Sequence, residues 1–161
     1  MSWILHRIDD RLIHGQVLVA WGARLRPARM WLADDAIAGI DWERRLYEEA
    51  APGVEVRIVT VTEAAAAYAD ESAAQGPAFL LVRDLPTALR LVEAGAAVPG
   101  FNIGGLHYAS GKSKVNEYVY LDAPDRHAAQ ALLARGVTLD VQDVPASRPQ
   151  PLASLEPAVH P

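Results

Sequence analysis

The most telling absence in this 161-residue chain is cysteine, of which it has none. Disulfide bonds and thiolate chemistry are therefore excluded, which fits a reducing compartment such as the cytosol. Basic residues are also fewer than acidic ones. The chain has 15 lysines and arginines and 20 aspartates and glutamates, which gives a formal net charge of −5. Because a surplus of acidic groups disfavours binding to a phosphate backbone, we expect no nucleic-acid partner.

The chain also lacks the long apolar run that a transmembrane helix needs, and its first residues do not have the pattern of a signal peptide. We therefore expect any association with a membrane to go through partner proteins. Hydrophobic residues make up 51% of the chain, which is enough for one well-buried core. We expect one domain, residues 1–144, followed by a Pro-rich flexible tail, residues 145–161, because closely spaced prolines disfavour both helix and sheet.

Short apolar segments alternate with helical patterns along the chain. The predicted strands are 3–8, 29–33, 54–59, 78–82, 100–103, 115–121 and 138–144. This alternation predicts an α/β fold with a single open, mainly parallel twisted sheet of about seven strands and helices on both faces. Segment 115–121 follows the preceding strand through a loop too short for a crossover helix, so we expect one antiparallel pairing there.

The run of residues 7–17, RIDDRLIHGQV, places His14 between charged residues and the start of an apparent helix. At such a turn the free backbone amides and the helix dipole favour an anion. Gly15 has no side chain to keep an anion away from the backbone. A neutral imidazole has a lone pair available for attack on phosphorus, so His14 is a candidate nucleophile.

Charged and polar neighbours of this histidine complete a candidate phosphoryl-transfer site. Arg11 and Arg7 carry forked guanidinium donors that suit a phosphoryl group, and we take both as candidate phosphate ligands. Asp9 or Asp10 is a candidate to accept the proton on the second ring nitrogen and so to orient the ring. Gln16 is a candidate neutral donor. The alternative is that these residues are ordinary surface charges around a histidine at a helix start, and the spacing alone does not decide between the two.

Other polar residues follow neighbouring predicted strands and are candidates to border the same cleft. Asp35 follows the second strand, Gly105 and His107 follow the fifth, and Asp10 follows the first. Ligands of such sheets gather beyond the carboxyl ends of the strands. The alternatives are a helix cap for Asp35, a tight turn for Gly105 and an ordinary loop histidine for His107. The histidines lack the spacing of zinc ligands, so we expect no metal site.

Two separated segments of the chain resemble one known protein family. Residues 7–17 are similar to the signature around the phosphorylated histidine of the IIB component of the mannose/fructose/sorbose class of bacterial sugar phosphotransferase systems. The second segment, residues 101–108 (FNIGGLHY), together with Gly111-Lys112 and residues 118–122 (YVYLD), is similar to another recurrent segment of that family. Residues 132–137 (LLARGV) also fit, so the resemblance covers about residues 1 to 144.

The resemblance implies an open α/β fold and a phosphocarrier function. It implies that His14 accepts a phosphoryl group on Nδ1 from a IIA protein and passes it to a sugar held by a membrane IIC/IID permease. It implies no metal or organic cofactor, and a cytoplasmic protein that reaches the membrane through its permease partners. Arg11 is then the candidate clamp for the phosphoryl group, with the amides around Gly15 and Gln16 as neutral donors. The identity of the sugar would reside in the membrane partner.

Two other functions deserve comparison with the transport function. A regulatory phosphocarrier would use the same histidine, but a protein target would read its phosphorylation state. A nucleotide-binding α/β domain is disfavoured, because neither a Gly-x-x-x-x-Gly-Lys-Ser/Thr loop nor a Gly-x-Gly-x-x-Gly turn occurs where one is needed. The sequence leaves homo-oligomerisation open.

Overall fold

A computed structural model describes residues 2–161 of this chain. Its strands are β1 (Trp3–Asp9), β2 (Arg29–Ala33), β3 (Glu55–Val59), β4 (Ala78–Val82), β5 (Gly100–Gly105), β6 (Ser113–Lys114), β7 (Tyr120–Leu121), β8 (Thr138–Val141) and β9 (Gln150–Pro151). Its helices are α1 (Ala23–Leu25), α2 (Asp35–Ala38), α3 (Asp41–Glu49), α4 (Val61–Ala73), α5 (Leu85–Glu93), α6 (Ala123–Ala134) and α7 (Leu152–Leu155). A π-helical segment, Gln16–Gly22, leads directly into α1.

Seven strands form the main sheet in the order β3-β2-β4-β1-β5-β8-β9. All neighbours pair in parallel except β8 and β9, which are antiparallel. The predicted open, mainly parallel sheet with one antiparallel pairing is therefore confirmed. Strands β6 and β7 form a separate antiparallel pair outside this sheet.

The position predicted for the antiparallel strand is wrong. Segment 115–121 does not form a continuous strand, because the side chain of Asn116 accepts hydrogen bonds from the backbone N–H groups of Tyr118 and Val119. An Asn side chain that bonds its own following backbone makes a tight turn and takes those N–H groups away from a sheet. The antiparallel strand of the main sheet is β9 instead.

Both faces of the sheet are covered by helices, as the sequence predicts. Along β4 every residue is buried, and alternate side chains enter two different cores. Phe79 and Leu81 pack with Val17 and Trp21 of the π-helical segment, whereas Leu80 packs on the side of α4, α5 and α6. A central parallel strand is apolar along its whole length because it has no solvent-facing side.

The C-terminal segment is not the free tail that its composition predicts. In β9, Gln150 and Pro151 lie opposite Val141 and Asp140 of β8. Proline is tolerated there because β9 is at the edge of the sheet, where its missing N–H is not needed by a further strand. Leu152 and Val159 are fully buried in the larger core, and their apolar side chains stabilise the packed conformation.

The strand order creates a crevice at the carboxyl ends of β1 and β5. These two strands are neighbours, but the chain goes from β1 to β2 on one side and from β5 towards β8 on the other. Loops that diverge in this way leave open the space between them, which is where ligands bind in open α/β sheets. Within residues 2–161, none of the helices combines the length and the apolar character needed to cross a bilayer.

Candidate functional site

The site is built around a buried carboxylate, that of Asp9, the last residue of β1. Its side chain is inaccessible to solvent and accepts hydrogen bonds from two arginines. Nη2 of Arg7 donates at 3.2 Å, while the backbone N, Nε and Nη2 of Arg11 each donate at 3.1 Å. A buried carboxylate is stable only when it is paired and hydrogen-bonded, so Asp9 and the two guanidinium groups form one unit.

Arg7 is completely buried, which corrects its prediction as a phosphate ligand. Its Nη1 donates to Asn102 Oδ1 at 2.5 Å and to the carbonyl oxygen of Gln142 at 3.0 Å, and Nη2 donates to the carbonyl oxygen of Asp143 at 2.8 Å. Burial lowers the pKa of Arg7, and the neighbouring carboxylate of Asp9 opposes that shift. With Nη1 and Nη2 engaged inside the protein, Arg7 supports Asp9 rather than facing the crevice.

Two further residues close the pocket around Arg7. The ring of Trp21 lies over the guanidinium, 5.1 Å from ring centroid to Cζ, and its Nε1 donates to the carbonyl oxygen of Asp143 at 3.1 Å. A Cβ at Gly104 would overlap the guanidinium, so only glycine leaves room for Arg7 at that place in β5. The sequence analysis missed Asn102, Gln142 and Trp21 as parts of the site, although a polar Asn102 within an apolar strand was a usable signal.

Arg11 is the arginine that faces the crevice. One third of its side chain is exposed, and Nη2 also donates to Gln16 Oε1 at 2.9 Å. The contacts with Asp9 and Gln16 fix one edge of the guanidinium, while Nη1 has no hydrogen-bond partner among residues 2–161. An oriented guanidinium with a free donor suits the oxygens of a phosphoryl group. Gln16 is therefore beside Arg11, and its amide nitrogen has no hydrogen-bond partner among residues 2–161.

His14 lies on the loop between β1 and the π-helical segment. The backbone of Leu12 has a φ of 61°, and its side chain is buried, which anchors the turn that presents the histidine. His14 Nδ1 is 2.9 Å from the carbonyl oxygen of Leu12. Because a carbonyl oxygen only accepts, Nδ1 is the donor in this contact.

The second nitrogen of the His14 ring points inward. Nε2 lies 3.9 Å from Asp9 Oδ2, is shielded from solvent and has no hydrogen-bond partner in the part of the chain that the structure describes. The structure therefore brings Asp9 close to the ring, as predicted, but the closest hydrogen bond of the ring is to Leu12 rather than to a carboxylate. Asp9 bonds directly to Arg11 and only faces the histidine.

The helix that starts after His14 has no side-chain cap. Gly15 at its N-cap makes no capping hydrogen bond, and a Cβ added to Gly15 would meet no atom within 4 Å. The helices after β2, β3 and β4 are different, because Asp34, Thr60 and Asp84 accept hydrogen bonds from their first turns. The helix start beside His14 thus keeps its amide donors and its open approach for an external anion.

The loop after β5 forms the opposite wall of the crevice. His107 donates its backbone N–H to Asp10 Oδ2 at 2.7 Å, and His107 Nδ1 lies 2.6 Å from Asp10 Oδ1. A Cβ at Gly105 would lie 3.0 Å from Arg11 Nη2 and 3.2 Å from His107 Cε1. Gly105 therefore lets the side chains of Arg11 and His107 approach each other, and the structure brings Asp10, Gly105 and His107 together with Arg11.

Asp35 lies elsewhere. It accepts a hydrogen bond from the backbone N–H of Val61 at 2.8 Å and pairs with Arg90, whose guanidinium lowers the pKa of the Asp35 carboxyl. These contacts tie α2 to α4 and α5 and occupy both carboxylate oxygens. Asp35 therefore does not border the crevice as the sequence suggested. It links helices through its pairing with Arg90 and Val61. Within residues 2–161, no group of three or more His, Cys, Asp or Glu side chains is placed to hold a metal ion.

Comparisons with known proteins show the family and the fold of this chain. The family described as "PTS system sorbose subfamily IIB component" matches residues 3–158. The N-acetylgalactosamine-specific phosphotransferase enzyme IIB component 1 of Escherichia coli (strain K12) is 33% identical over 144 residues, which are 88% of this chain and 90% of that protein. The crystal structure of the IIBSor domain of the sorbose permease from Klebsiella pneumoniae superposes with a TM-score of 0.87 and 31% identity, and covers 96% of each chain.

A longer relative combines this region with another part. The mannose-specific EIIAB component of Escherichia coli (strain K12) is 36% identical over 141 residues, which are 87% of this chain. The chain spans only 44% of the length of that relative. The similarity therefore concerns one part of the longer protein.

Proposed function

Because this chain belongs to the sorbose subfamily of IIB components of the phosphotransferase system (PTS), we propose that it carries a phosphoryl group on His14 between a IIA protein and a sugar. The observation that carries the proposal is that His14 and Arg11 both lie against the buried carboxylate of Asp9, which orients the guanidinium of Arg11. A nucleophile next to an oriented cation and an uncapped helix start is suited to phosphoryl transfer.

In the first step a ring nitrogen of His14 attacks the phosphorus of the phosphohistidine on IIA. The new N–P bond forms as the N–P bond to the IIA imidazole breaks, so the phosphoryl group moves without a metal ion or an organic cofactor. Negative charge spreads over the three phosphoryl oxygens during the transfer. We assign Arg11 and the backbone amides of Gly15 and Gln16 to those oxygens, because they are donors that face the crevice.

The acceptor nitrogen is proposed to be Nδ1, as the family resemblance implies. In the unphosphorylated protein Nδ1 donates to the carbonyl oxygen of Leu12, so this hydrogen bond breaks and the ring exchanges protons with water, losing the one on Nδ1 and gaining one on Nε2, before the lone pair of Nδ1 attacks phosphorus. Asp9 then acts in two ways. It holds Arg11 in place by three hydrogen bonds, and it lies within 3.9 Å of Nε2, where it stabilises a ring that carries a proton on that nitrogen.

In the second step phosphorylated His14 gives its phosphoryl group to a sugar hydroxyl at a membrane IIC/IID permease. We place the protein at the cytoplasmic side of the membrane during this step, held by the permease. The relatives are named for mannose, sorbose and N-acetylgalactosamine, so these three sugars are the first substrates to test.

The test uses the purified chain with phosphoenolpyruvate, the general PTS proteins and a IIA protein. Intact mass under alkaline conditions should show one added, acid-labile phosphoryl group on the wild type and none on His14→Ala. His127→Ala is the matched control, because it removes an exposed histidine on α6. A wild type that stays unmodified with a competent donor, or a His14→Ala variant that is modified, contradicts the proposal.

The transport step needs a second measurement. Membrane vesicles that contain IIC and IID are added to the phosphorylated protein with each of the three sugars. Transfer to sugar is expected to remove the phosphoryl group and to yield a sugar phosphate. Phosphorylation of His14 without any sugar phosphate, for every sugar tested, would favour the regulatory function instead.

A further inference from the structure

We propose that His107 is a second side-chain contact for the travelling phosphoryl group, through its Nε2, on the opposite side from the His14 loop. This inference rests on the proposed function and adds a residue to it. His107 follows β5 and extends into the crevice from the wall that faces the His14 loop. Three observations carry the inference: a ring orientation fixed by Asp10, proximity to Arg11, and exposure to the approaching partner.

Asp10 fixes the orientation of the His107 ring. One carboxylate oxygen accepts the backbone N–H of His107 at 2.7 Å, and the other is 2.6 Å from Nδ1 of the same residue. Because an ionised carboxylate only accepts, Nδ1 carries a proton in this contact. The ring therefore turns Nε2 away from Asp10, and Nε2 is a donor to a phosphoryl oxygen when both ring nitrogens carry a proton.

Arg11 and His107 approach the same point above Gly105. The position of a Cβ at Gly105 is 3.0 Å from Arg11 Nη2, 3.2 Å from His107 Cε1 and 3.3 Å from Asp9 Oδ1. Cε1 is the ring carbon between Nδ1 and Nε2, so the edge of the ring that carries both nitrogens lies near this point. The charged groups that surround the imidazole are thus Asp10, Asp9 and Arg11.

The exposed fractions of these side chains permit contact with a phosphoryl group on a partner. The side chain of His107 is 49% exposed, and that of Arg11 is 33% exposed. A phosphoryl group that enters between them meets the guanidinium of Arg11 on one side and the ring of His107 on the other. Charge-assisted hydrogen bonds of this kind are stronger than neutral ones, and they stabilise transferred charge where water is excluded.

Two substitutions at His107 separate a phosphoryl contact from a structural role. In His107→Asn the amide reaches the position of Nδ1, so the contact with Asp10 is kept and the Nε2 donor is lost. In His107→Gln the longer side chain places an amide donor near the former Nε2. We expect the initial rate of phosphorylation by phospho-IIA to fall about tenfold or more in His107→Asn and to stay within about threefold of wild type in His107→Gln.

The control is His127→Asn, which changes an exposed histidine on α6 and should leave the rate unchanged. Thermal midpoints of all variants establish that each is folded. A structural role through Asp10 predicts the opposite order, with His107→Asn closer to wild type than His107→Gln. That order, or a wild-type rate for His107→Asn, overturns the inference.

A second readout does not depend on transfer. Inorganic phosphate is titrated into the unphosphorylated protein while the imidazole resonances of His107 are followed by NMR. The inference expects these resonances to move on titration, with about tenfold weaker binding of phosphate to His107→Asn than to wild type. Resonances that do not respond to phosphate overturn it. Failure of His14 to become phosphorylated contradicts the proposed function separately, because the titration requires no IIA protein.

Discussion

Two histidines on the same strand and loop, His6 and His14, have opposite environments. His6 lies within β1, where 8% of it is exposed, and its Nε2 is 2.9 Å from the hydroxyl oxygen of Tyr68. Burial lowers the pKa of His6 to about 4, so its imidazole is neutral at neutral pH. His14 lies eight positions further on, with Nε2 unpartnered and facing a carboxylate that two arginines share.

The difference shows that the surroundings of a histidine decide its chemistry. His6 contacts the rings of Trp3, Tyr68 and Phe101 and acts as a core aromatic with one satisfied polar atom. His14 instead lies against the ion pair of Asp9 and Arg11, and 18% of its side chain is exposed. Four predictions test this contrast, from the largest expected effect to the smallest.

Replacing each histidine in turn should separate chemistry from stability. We expect His14→Ala to lose phosphorylation completely and His6→Gln to keep it, since only the first has a nucleophilic nitrogen near Arg11. His6→Gln should instead be less stable by about 1–2 kcal/mol, because it gives up aromatic contacts in the core. Intact mass after incubation with phospho-IIA measures the first effect, and urea unfolding measures the second. Phosphorylation lost in a folded His6→Gln protein would break the contrast.

Replacing Arg11 should slow the phosphorylation of His14 without abolishing it. We expect Arg11→Gln to lower the initial rate of phosphorylation by about a hundredfold to a thousandfold, the usual cost of losing a preorganised donor to a charged transition state. Arg24→Gln is the matched control, because Arg24 is an exposed arginine on α1. Rapid-quench kinetics with phospho-IIA measures both variants. Equal rates for Arg11→Gln and Arg24→Gln would remove Arg11 from the mechanism.

The buried histidine should make folding stability depend on pH. The pKa of His6 is about 4 when folded and 6.5 when exposed, so between these values the unfolded chain binds more protons than the folded one. Stability contributed by neutral His6 is therefore fully present above pH 6.5 and is lost as the pH falls towards 4, by about 3 kcal/mol in total.

Urea unfolding of the wild type and His6→Gln at several pH values measures this dependence. Carboxyl groups titrate in both proteins, so the difference between the two free energies of unfolding isolates the contribution of His6. As the pH falls from 6.5 to 4, the wild type is expected to lose its advantage over His6→Gln and to become the less stable of the two proteins. A constant difference over that range would mean that His6 does not titrate in a buried state.

Removing the Tyr68 hydroxyl, which is the hydrogen-bond partner of His6, should have the smallest effect, a small loss of folding stability. In Tyr68→Phe the Nε2 of His6 loses its hydrogen bond inside the core, and we expect a loss of about 1 kcal/mol in the free energy of unfolding. Burial raises the pKa of Tyr68 to about 12, so its hydroxyl is protonated at neutral pH. The control is Tyr108→Phe, which changes an exposed tyrosine and should leave stability unchanged. Phosphorylation of His14 is expected to be normal in both variants.

The sequence predicts the sheet well where strands are apolar and bounded by turns. Strand 29–33 matches β2, and 78–82 matches β4, because runs of buried apolar residues have few alternatives in a parallel sheet. The position of His14 also follows from the sequence, since a histidine after the first strand of such a sheet must lie at its carboxyl edge. Arg11 and Gln16 lie within a few residues of it, so their proximity is local.

Contacts between distant parts of the chain could not be predicted in the same way. Arg7 is buried by Asn102 and by the backbone of Gln142 and Asp143, which are 95 to 136 positions away in sequence. No local pattern distinguishes such an arginine from one that faces solvent. The C-terminal segment presents the same difficulty, because the burial of Leu152 and Val159 depends on a core assembled from the rest of the chain.

The space left by Gly104 links positions 104 and 7, because the residue at one limits which residue fits at the other. A methyl group at Gly104 would overlap the Arg7 guanidinium, so Gly104→Ala is costly only while an arginine occupies position 7. A chain with a smaller residue at position 7 loses that conflict, and the effects of the two substitutions are then non-additive. Gly104→Ala is therefore expected to cost less stability when position 7 already holds the smaller residue than when it holds arginine.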